Sequence, residues 1–293
     1  MPHSLFIDIP DNFSFRSTIY SHGWCELAPF EIDETNWRLT YVFRQRNGSR
    51  PVAGTIFEDA GRLRIELGSK PVSRKKIIDD VRHILRLDDD LNGLYESVAD
   101  HERLSWVVEK SAGRLLRSPT VFEDLVKTIC TTNCSWSLTK KMVANLVEKL
   151  GEPTARGKRA FPTPEAMAGV SADFYRDEIR AGYRSPYFVE LAEAVASGKL
   201  DPQSWLTSDL PTPELKKEMK KVKGVGDYAA ENLLKLVGRY DGLALDSWLR
   251  SQFYKNHNNA KVCADKKIER HYKKFGKWRG LVIWCDMTEK WIN

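Results

Sequence analysis

The chain has 293 residues, of which 42% are hydrophobic and 29% are charged, a balance typical of a globular protein with one large domain or two ordinary ones. This excludes a disordered tail protein or a fibre. No window approaches 18 consecutive apolar residues, so we predict no transmembrane helix. The N-terminus has no basic region followed by an apolar core, so we predict no secretory signal. The five scattered cysteines favour reduced thiols in a cytosolic protein over a disulfide framework.

Positive charge is concentrated in the second part of the chain. Residues 1–100 contain 13 Lys and Arg against 16 Asp and Glu, whereas residues 101–293 contain 33 against 24. The net charge of +6 therefore combines an acidic front (−3) with a basic back (+9). A basic domain has polyanions such as nucleic acid among its candidate partners, although many basic surfaces bind nothing.

The front third of the sequence is typical of β-strands. Residues 37–45 and 51–59 are rich in β-branched and aromatic side chains, and Asn47-Gly48-Ser49 form a turn between them. In residues 62–67 apolar and charged side chains alternate, which favours an antiparallel sheet with one solvent-exposed face.

Helical periodicity begins at Ser73 and dominates beyond about residue 98, with one apolar stripe running through Pro119–Leu150. The sequence therefore predicts an α+β protein. A small N-terminal antiparallel β domain with a connecting helix covers residues 1–98, and a mainly α-helical domain covers residues 99–293. Further helices are predicted near residues 164–169, 171–180, 186–197, 211–222, 227–238, 247–257 and 276–290.

The most specific motif is a glycine turn between two short helices within Glu214–Gly238. Gly224 and Gly226 allow the backbone to approach a ligand closely, and Asp227 is predicted to be the N-cap of the second helix. Free N–H groups at a helix start bind anions, so the pattern predicts a phosphate-binding hairpin. The alternative is a plain turn with a solvated lysine face. The lysines of this segment are Lys216, Lys217, Lys220, Lys221 and Lys223.

Asp246 follows the apolar run Leu243-Ala244-Leu245 and begins another helix. A lone Asp in this setting is most simply an N-cap. Together with the hairpin about twenty residues upstream, however, it resembles the helix-hairpin-helix (HhH-GPD) family of DNA base-excision glycosylases. In that family an essential Asp follows the hairpin at this distance. The resemblance implies that Asp246 stabilises positive charge on the sugar and activates water.

The resemblance extends over most of the chain. Gly113–Trp136 is similar to the segment of 8-oxoguanine DNA glycosylases that ends in an Asn filling the vacated base position, here Asn133. Tyr183 and Arg184 match the pair that contacts the orphaned base, whereas Lys277–Trp291 is closer to bacterial 3-methyladenine DNA glycosylase II. The residues predicted to bind DNA are Asn133, Tyr183, Arg184, Lys223, Gly224, Val225, Gly226 and Asp227.

Two departures from the family bear on substrate and mechanism. Bifunctional members place a Lys two residues after the second glycine, where it forms a Schiff base, but this sequence has Tyr228 there. We therefore expect hydrolysis without strand cleavage. The base-reading Gln of 8-oxoguanine enzymes aligns with Ile283, and aromatic walls favour a cationic alkylated base. The residues predicted to line the base pocket are Trp136, Tyr228, Trp248, Ile283 and Trp284.

No cofactor is expected to be required. Related hairpins hold a monovalent cation through main-chain oxygens, which by position are those of Lys220, Val222 and Val225. Some branches of the family carry a C-terminal iron–sulfur cluster on four cysteines. Only Cys263 and Cys285 lie in that region, so no cluster is expected. Cys and His are too dispersed in the sequence to indicate a zinc site.

The sequence thus supports a monofunctional DNA N-glycosylase, with an alkylated purine as the favoured substrate and a damaged guanine or a deaminated base as alternatives. The second hypothesis is a catalytically silent module that binds DNA lesions without excision, but the retained Asp246 argues against it. Damaged double-stranded DNA is the expected partner, and a monomer is the default. We expect a cytoplasmic, nucleoid-associated protein in a bacterium or a nuclear one in a eukaryote.

Overall fold

The computed structural model describes residues 3–45 and 48–292. Five antiparallel strands form one sheet in the order β1-β5-β4-β3-β2. Buried Ile56 pairs with Leu39 on one side and Ile65 on the other. Asn47 of the predicted turn lies outside the described residues. The strands are β1 His3–Asp8, β2 Glu31–Asp33, β3 Arg38–Phe43, β4 Val52–Asp59 and β5 Arg62–Leu67.

Most of the helices follow the sheet in the chain, so the predicted α+β class is confirmed. The α-helices are α1 Phe15–Ile19, α2 Arg74–Leu85, α3 Asn92–Val98, α4 Ser105–Glu109, α5 Val121–Thr131, α6 Trp136–Leu150, α7 Pro164–Ala168, α8 Ala172–Phe174, α9 Ser185–Ala196, α10 Thr212–Met219, α11 Asp227–Leu236, α12 Ser247–His257, α13 Asp265–Tyr272 and α14 Arg279–Ile292. The 3₁₀ turns are Trp24–Glu26, Glu102–Leu104, Gly182–Arg184, Pro202–Thr207 and Lys273–Trp278, and a π-helical turn is Tyr175–Ile179.

Strands β1 and β2 and helices α1, α3, α4 and α13 were not predicted individually. The apolar stripe over residues 119–150 also proves to be two helices, α5 and α6. The chain breaks between them because Asn133 adopts a left-handed conformation (φ 47°), which Asn tolerates better than most residues. Ser135 then starts α6, since its hydroxyl accepts a hydrogen bond from the Leu138 amide at 3.3 Å. The break leaves Asn133 exposed.

One contiguous apolar core joins the sheet to the helices. Buried polar contacts cross the same junction, because Tyr41 on β3 donates to Glu123 at 2.7 Å and Trp24 donates to Asp124 at 2.8 Å. The domain boundary near residue 98 therefore stays a prediction. Within residues 3–45 and 48–292, no helix has the length and apolarity needed to cross a membrane.

Two buried arginines hold the C-terminal end of α11. Arg86 donates to the Leu236 carbonyl at 2.9 Å and to the Tyr240 hydroxyl at 2.6 Å, and Arg117 donates to the same carbonyl at 3.1 Å. A helix leaves its last carbonyls without partners inside the helix, and positive charge there is favourable. These contacts fix the position of α11, which carries much of the candidate site.

Candidate functional site

The predicted hairpin is present as α10, a tight turn and α11. Gly224 has φ 88°, and a Cβ there would lie 3.0 Å from the Tyr187 ring. The N-cap of α11 is Gly226, not Asp227 as predicted, and no side chain among the described residues caps this helix start. Asp227 is instead the first helical residue. An exposed glycine cap leaves the first amides of α11 open to an anion.

The lysines around the hairpin form ion pairs with acidic neighbours. Lys220 contacts Asp227 at 3.0 Å, and Lys223 contacts Glu190 at 2.6 Å. Hydrogen bonds from Lys220 and then Lys216 hold the pKa of Asp227 below its ordinary value. These pairs are largely exposed, so they contribute little to stability.

Asp246 lies at the start of α12, where its Oδ1 accepts a hydrogen bond from the Leu249 amide at 2.7 Å. The loop before it is anchored from two sides. Glu231 on α11 accepts a hydrogen bond from the Ala244 amide. On α14, Gly280 packs so closely on the loop that a Cβ there would overlap the Gly242 carbonyl. These contacts hold the Asp246 carboxylate in place at the helix start.

Behind Asp246 lies a cavity of about 780 Å³ with aromatic walls. Trp136, Trp248, Trp284 and Trp291 all line it. The Trp248 ring lies 6.0 Å from the Trp284 ring and 5.3 Å from the Trp291 ring, measured between ring centroids. Such a cavity suits a flat ligand, because aromatic faces stack on planar rings.

The segment Tyr20–Glu26, which precedes most of the sheet, forms another wall of this cavity. Burial lowers the pKa of His22 to about 4, so its ring is neutral at pH 7. Trp136 donates to the Glu26 carboxylate at 3.2 Å, and Trp284 donates to the Ser21 carbonyl at 2.7 Å. The front of the chain therefore holds two of the aromatic walls in place.

Asn133 and Tyr183 lie together on the exposed surface, with the Asn133 Nδ2 3.4 Å from the Tyr183 hydroxyl. Arg184 differs from its predicted role, because it is 3% exposed. Its guanidinium Nε donates to the Ile129 carbonyl at 3.1 Å, and Nη2 donates to Thr132. Arg184 thus fixes the end of α5, just before Asn133, and its guanidinium faces the protein interior.

Solved structures match nearly the whole of this arrangement. A 3-methyladenine DNA glycosylase from Archaeoglobus fulgidus has a TM-score of 0.76 at 18% identity, covering 98% of each chain. An 8-oxoguanine glycosylase/lyase from Clostridium acetobutylicum, in complex with double-stranded DNA containing cytosine opposite 8-oxoG, has a TM-score of 0.75 at 18% identity. That match covers 99% of this chain and 97% of the other. The chain has the fold of the DNA glycosylases.

A sequence comparison finds a distant relative. A curated relative from Methanothermobacter thermautotrophicus, named "Probable N-glycosylase/DNA lyase", is 24% identical over 228 residues, 68% of this chain and 70% of the relative. No protein-family model matches the sequence. The predicted resemblance is therefore confirmed at the level of the glycosylase fold.

Within the glycosylase fold, four of the five predicted pocket residues line the cavity: Trp136, Tyr228, Trp248 and Trp284. Ile283 does not line it, because its side chain is fully buried in the core. Sequence reasoning missed Lys235 and the segment Tyr20–Glu26. The charged Lys235 inside the apolar run Leu233–Val237 was an available signal, whereas nothing local marked the segment.

Tertiary packing also brings together His257, His271 and Asp286, whose ligand atoms lie within 4.8 Å of one another. The sequence had indicated no such group. Two of these side chains are already hydrogen-bonded to each other, since His257 Nε2 lies 2.7 Å from Asp286 Oδ2. The Tyr272 hydroxyl donates to the same carboxylate oxygen at 2.6 Å. In a zinc site, bonds of about 2.1 Å place two ligand atoms about 3.3 Å apart. The separation of 2.7 Å between His257 and Asp286 is shorter and fits a hydrogen bond. We interpret the cluster as a network joining α12, α13 and α14.

The predicted cation site at the hairpin stays a prediction. The Val222 carbonyl accepts a hydrogen bond from the Val225 amide at 3.0 Å. A carbonyl oxygen has a second lone pair that remains available for a cation.

Proposed function

We propose that this protein is a DNA N-glycosylase that hydrolyses the bond between deoxyribose and a damaged base flipped out of duplex DNA. The observation that carries the proposal is the position of Asp246, which lies at the wall of an aromatic cavity. The uncapped start of α11 lies on the same hairpin–loop unit. The fold supports the proposal, because DNA glycosylases of two kinds share it across nearly the whole chain.

Each part of the site has a role in this reaction. The amides at the start of α11 bind a backbone phosphate, and Asn133 enters the gap left by the flipped base. Flipping costs a few kcal/mol, which these contacts offset. As the bond from C1′ to the base nitrogen breaks, positive charge grows on the sugar and the Asp246 carboxylate stabilises it. Water then bonds to C1′, and Asp246 accepts its proton.

We propose that the reaction ends at hydrolysis. Tyr228 stands where bifunctional relatives have a lysine, and a phenol cannot form an imine with the sugar. A glycosylase with lyase activity is the second candidate, because Lys235 supplies an amine in the same cavity and the curated relative is named a glycosylase/lyase. Borohydride, which traps an imine as a covalent complex, separates the two.

The cavity walls support a damaged purine as the substrate, because the tryptophans that line the cavity offer large faces for stacking. The alkylated purine favoured by the sequence is one class. A damaged or deaminated base with an additional oxygen is the other. Such an enzyme needs access to chromosomal DNA, in the nucleoid of a bacterium or the nucleus of a eukaryote.

The test is base release from short duplexes that each carry one modified base, followed with and without alkali. We expect an abasic product that is cut only after alkali treatment. Cutting without alkali, together with borohydride trapping, would establish the lyase instead. Tight binding to abasic DNA without release of any base would show a lesion-binding module and refute the proposal.

A further inference from the structure

Lys235 places a cationic side chain inside the cavity, where it is 2% exposed. Its Nζ donates a hydrogen bond to the Leu243 carbonyl at 3.3 Å. No carboxylate in the described part of the chain forms a salt bridge with it, and an ammonium has three N–H donors. Two donors therefore remain for a ligand.

The burial of Lys235 disfavours the protonated, charged form of its side chain. Burial lowers its pKa to about 8, although the negative charges of Glu231 and Asp246 act in the opposite direction. At neutral pH the side chain still carries its proton. A buried charge destabilises a protein unless it is paired. The Lys235 ammonium has one carbonyl acceptor and the face of Trp284 at 5.9 Å, so a ligand that supplies a further acceptor would stabilise it.

The position of Lys235 along α11 indicates which part of a ligand it meets. Tyr228, Asn232 and Lys235 line the cavity together, as expected for residues four and three apart on one helix face. At 1.5 Å per residue, Lys235 lies about 10 Å further from the hairpin than Tyr228. If DNA binds at the hairpin as proposed above, Tyr228 lies towards the sugar and Lys235 lies towards the base.

On the basis of the glycosylase function proposed above, we infer that Lys235 is a specificity-determining residue, which selects a neutral purine carrying an exocyclic oxygen. Its ammonium donates a hydrogen bond to that oxygen. The same ammonium repels a purine with a fixed positive charge, such as an N-alkylated one. In a pocket shielded from water, this repulsion outweighs the attraction between a cationic base and the tryptophan faces.

The bond changes explain why the cation helps only one class of base. When the bond from C1′ to the base nitrogen breaks, its electron pair leaves with the base. A neutral purine departs as an anion, which the Lys235 ammonium stabilises until the base takes up a proton from the solvent. A cationic alkylated purine departs as a neutral molecule and needs no such help. Lys235 therefore contributes mainly in the transition state.

The experiment compares base release by the wild type, Lys235→Met and Lys235→Arg under single-turnover conditions. The substrates are duplexes containing 8-oxoguanine or hypoxanthine, and methylated DNA that releases 3-methyladenine and 7-methylguanine. We expect the wild type to favour the oxygen-bearing bases. Lys235→Met should lower their rate constant at least tenfold without a comparable change in substrate affinity, and it should leave or raise the release of cationic bases. Lys235→Arg should retain part of the activity.

Lys199→Met serves as the matched control, because Lys199 is exposed outside the cavity. The inference fails if Lys235→Met leaves the ratio between the two classes unchanged, or if the wild type prefers cationic bases. A borohydride-trapped complex that is lost in Lys235→Met would also overturn it, because the amine would then attack the sugar. If the wild type releases no base at all, the proposed function fails instead. Lys235→Arg keeps the test valid if Lys235→Met does not fold.

A pH profile gives a second readout. Release of an oxygen-bearing base by the wild type should fall as the pH rises through about 8, the pKa of Lys235, whereas Lys235→Arg should show no such fall. Other titratable groups near Lys235 are Glu231, Asp246, Cys285 and His22. Burial raises the pKa of Cys285 to about 12 and lowers that of His22 to about 4, so neither titrates in this range. The arginine variant shares all four groups. An unchanged wild-type rate through pH 8 would contradict the inference.

Discussion

In the proposed reaction, Asp246 combines a structural and a chemical task in one carboxylate. One oxygen, Oδ1, caps α12 through the Leu249 amide at 2.7 Å, and the side chain also lines the cavity. The two tasks are separable by substitution, because asparagine caps a helix about as well as aspartate does.

We predict that Asp246→Asn abolishes base release while the protein keeps its stability to within about 0.5 kcal/mol, since the cap survives. Binding to a duplex with an abasic analogue should be retained. Asp246→Ala should lose activity and also about 1 kcal/mol of unfolding free energy, because the cap is lost. Single-turnover assays and urea unfolding measure both effects. Full activity in Asp246→Asn would show that another group supports hydrolysis.

At the scale of the element, the hairpin uses two glycines for different reasons. Gly224 has φ 88° and packs against Tyr187 and Ile129, so both its backbone and its surroundings exclude a side chain. Gly226 has φ −85°, and a Cβ there would meet no atom within 4 Å. Its lack of a side chain is therefore not required by the fold, and we propose that a close approach of DNA explains it.

We predict that Gly224→Ala destabilises the protein by about 1–2 kcal/mol, because alanine is strained at a positive φ and its methyl group crowds Tyr187. Gly226→Ala should leave the unfolding free energy nearly unchanged but weaken DNA binding about tenfold, since its methyl group obstructs the phosphate. Urea unfolding and DNA titration at fixed salt measure the two effects. Unchanged DNA affinity in Gly226→Ala would place the phosphate elsewhere.

At the scale of the whole molecule, the front of the chain is part of the site. Trp24 donates to Asp124 at 2.8 Å, and Ser21 accepts from Trp284 at 2.7 Å, so residues 20–26 link the sheet domain to α5 and α14. Because this segment also forms a wall of the cavity, the chain between β1 and β2 completes the pocket.

Two half-buried histidines make the unfolding free energy depend on pH. Burial lowers the pKa of His22 to about 4 and that of His83 to about 3, against an ordinary value of 6.5. Below pH 6.5 the unfolded chain takes up protons that the folded chain does not, so the unfolding free energy should fall as the pH drops from about 6.5 to 4. We expect a loss of about 1–2 kcal/mol for each histidine, since both retain some contact with solvent.

The measurement is urea unfolding at several values of pH between 7 and 4, compared with His83→Gln. Removing one titrating imidazole should make the decline shallower. Asp124, whose pKa burial raises to about 6, acts in the opposite direction in both proteins and so cancels in the comparison. If the unfolding free energy falls equally with pH in both proteins, His83 has the same pKa in the folded and the unfolded chain, and the prediction is wrong.

The sequence by itself determined the features that depend on neighbouring residues. The alternation in β5 predicted a strand, and the glycine spacing with Asp246 downstream predicted the hairpin, the helix start and the class of fold. These patterns are local, because strand and helix periods and turn residues act over a few positions.

Contacts between residues that are far apart in the sequence were decided only by the tertiary structure. It placed Tyr20–Glu26 in the cavity wall, buried Lys235 beside Trp284, turned Arg184 inward towards the end of α5, and left Ile283 in the core. Each outcome depends on contacts across tens to hundreds of residues, and no local pattern encodes which face of a helix meets which neighbour. The sequence therefore indicated where a carboxylate and a glycine turn lie, and packing decided which charged side chain lines the cavity.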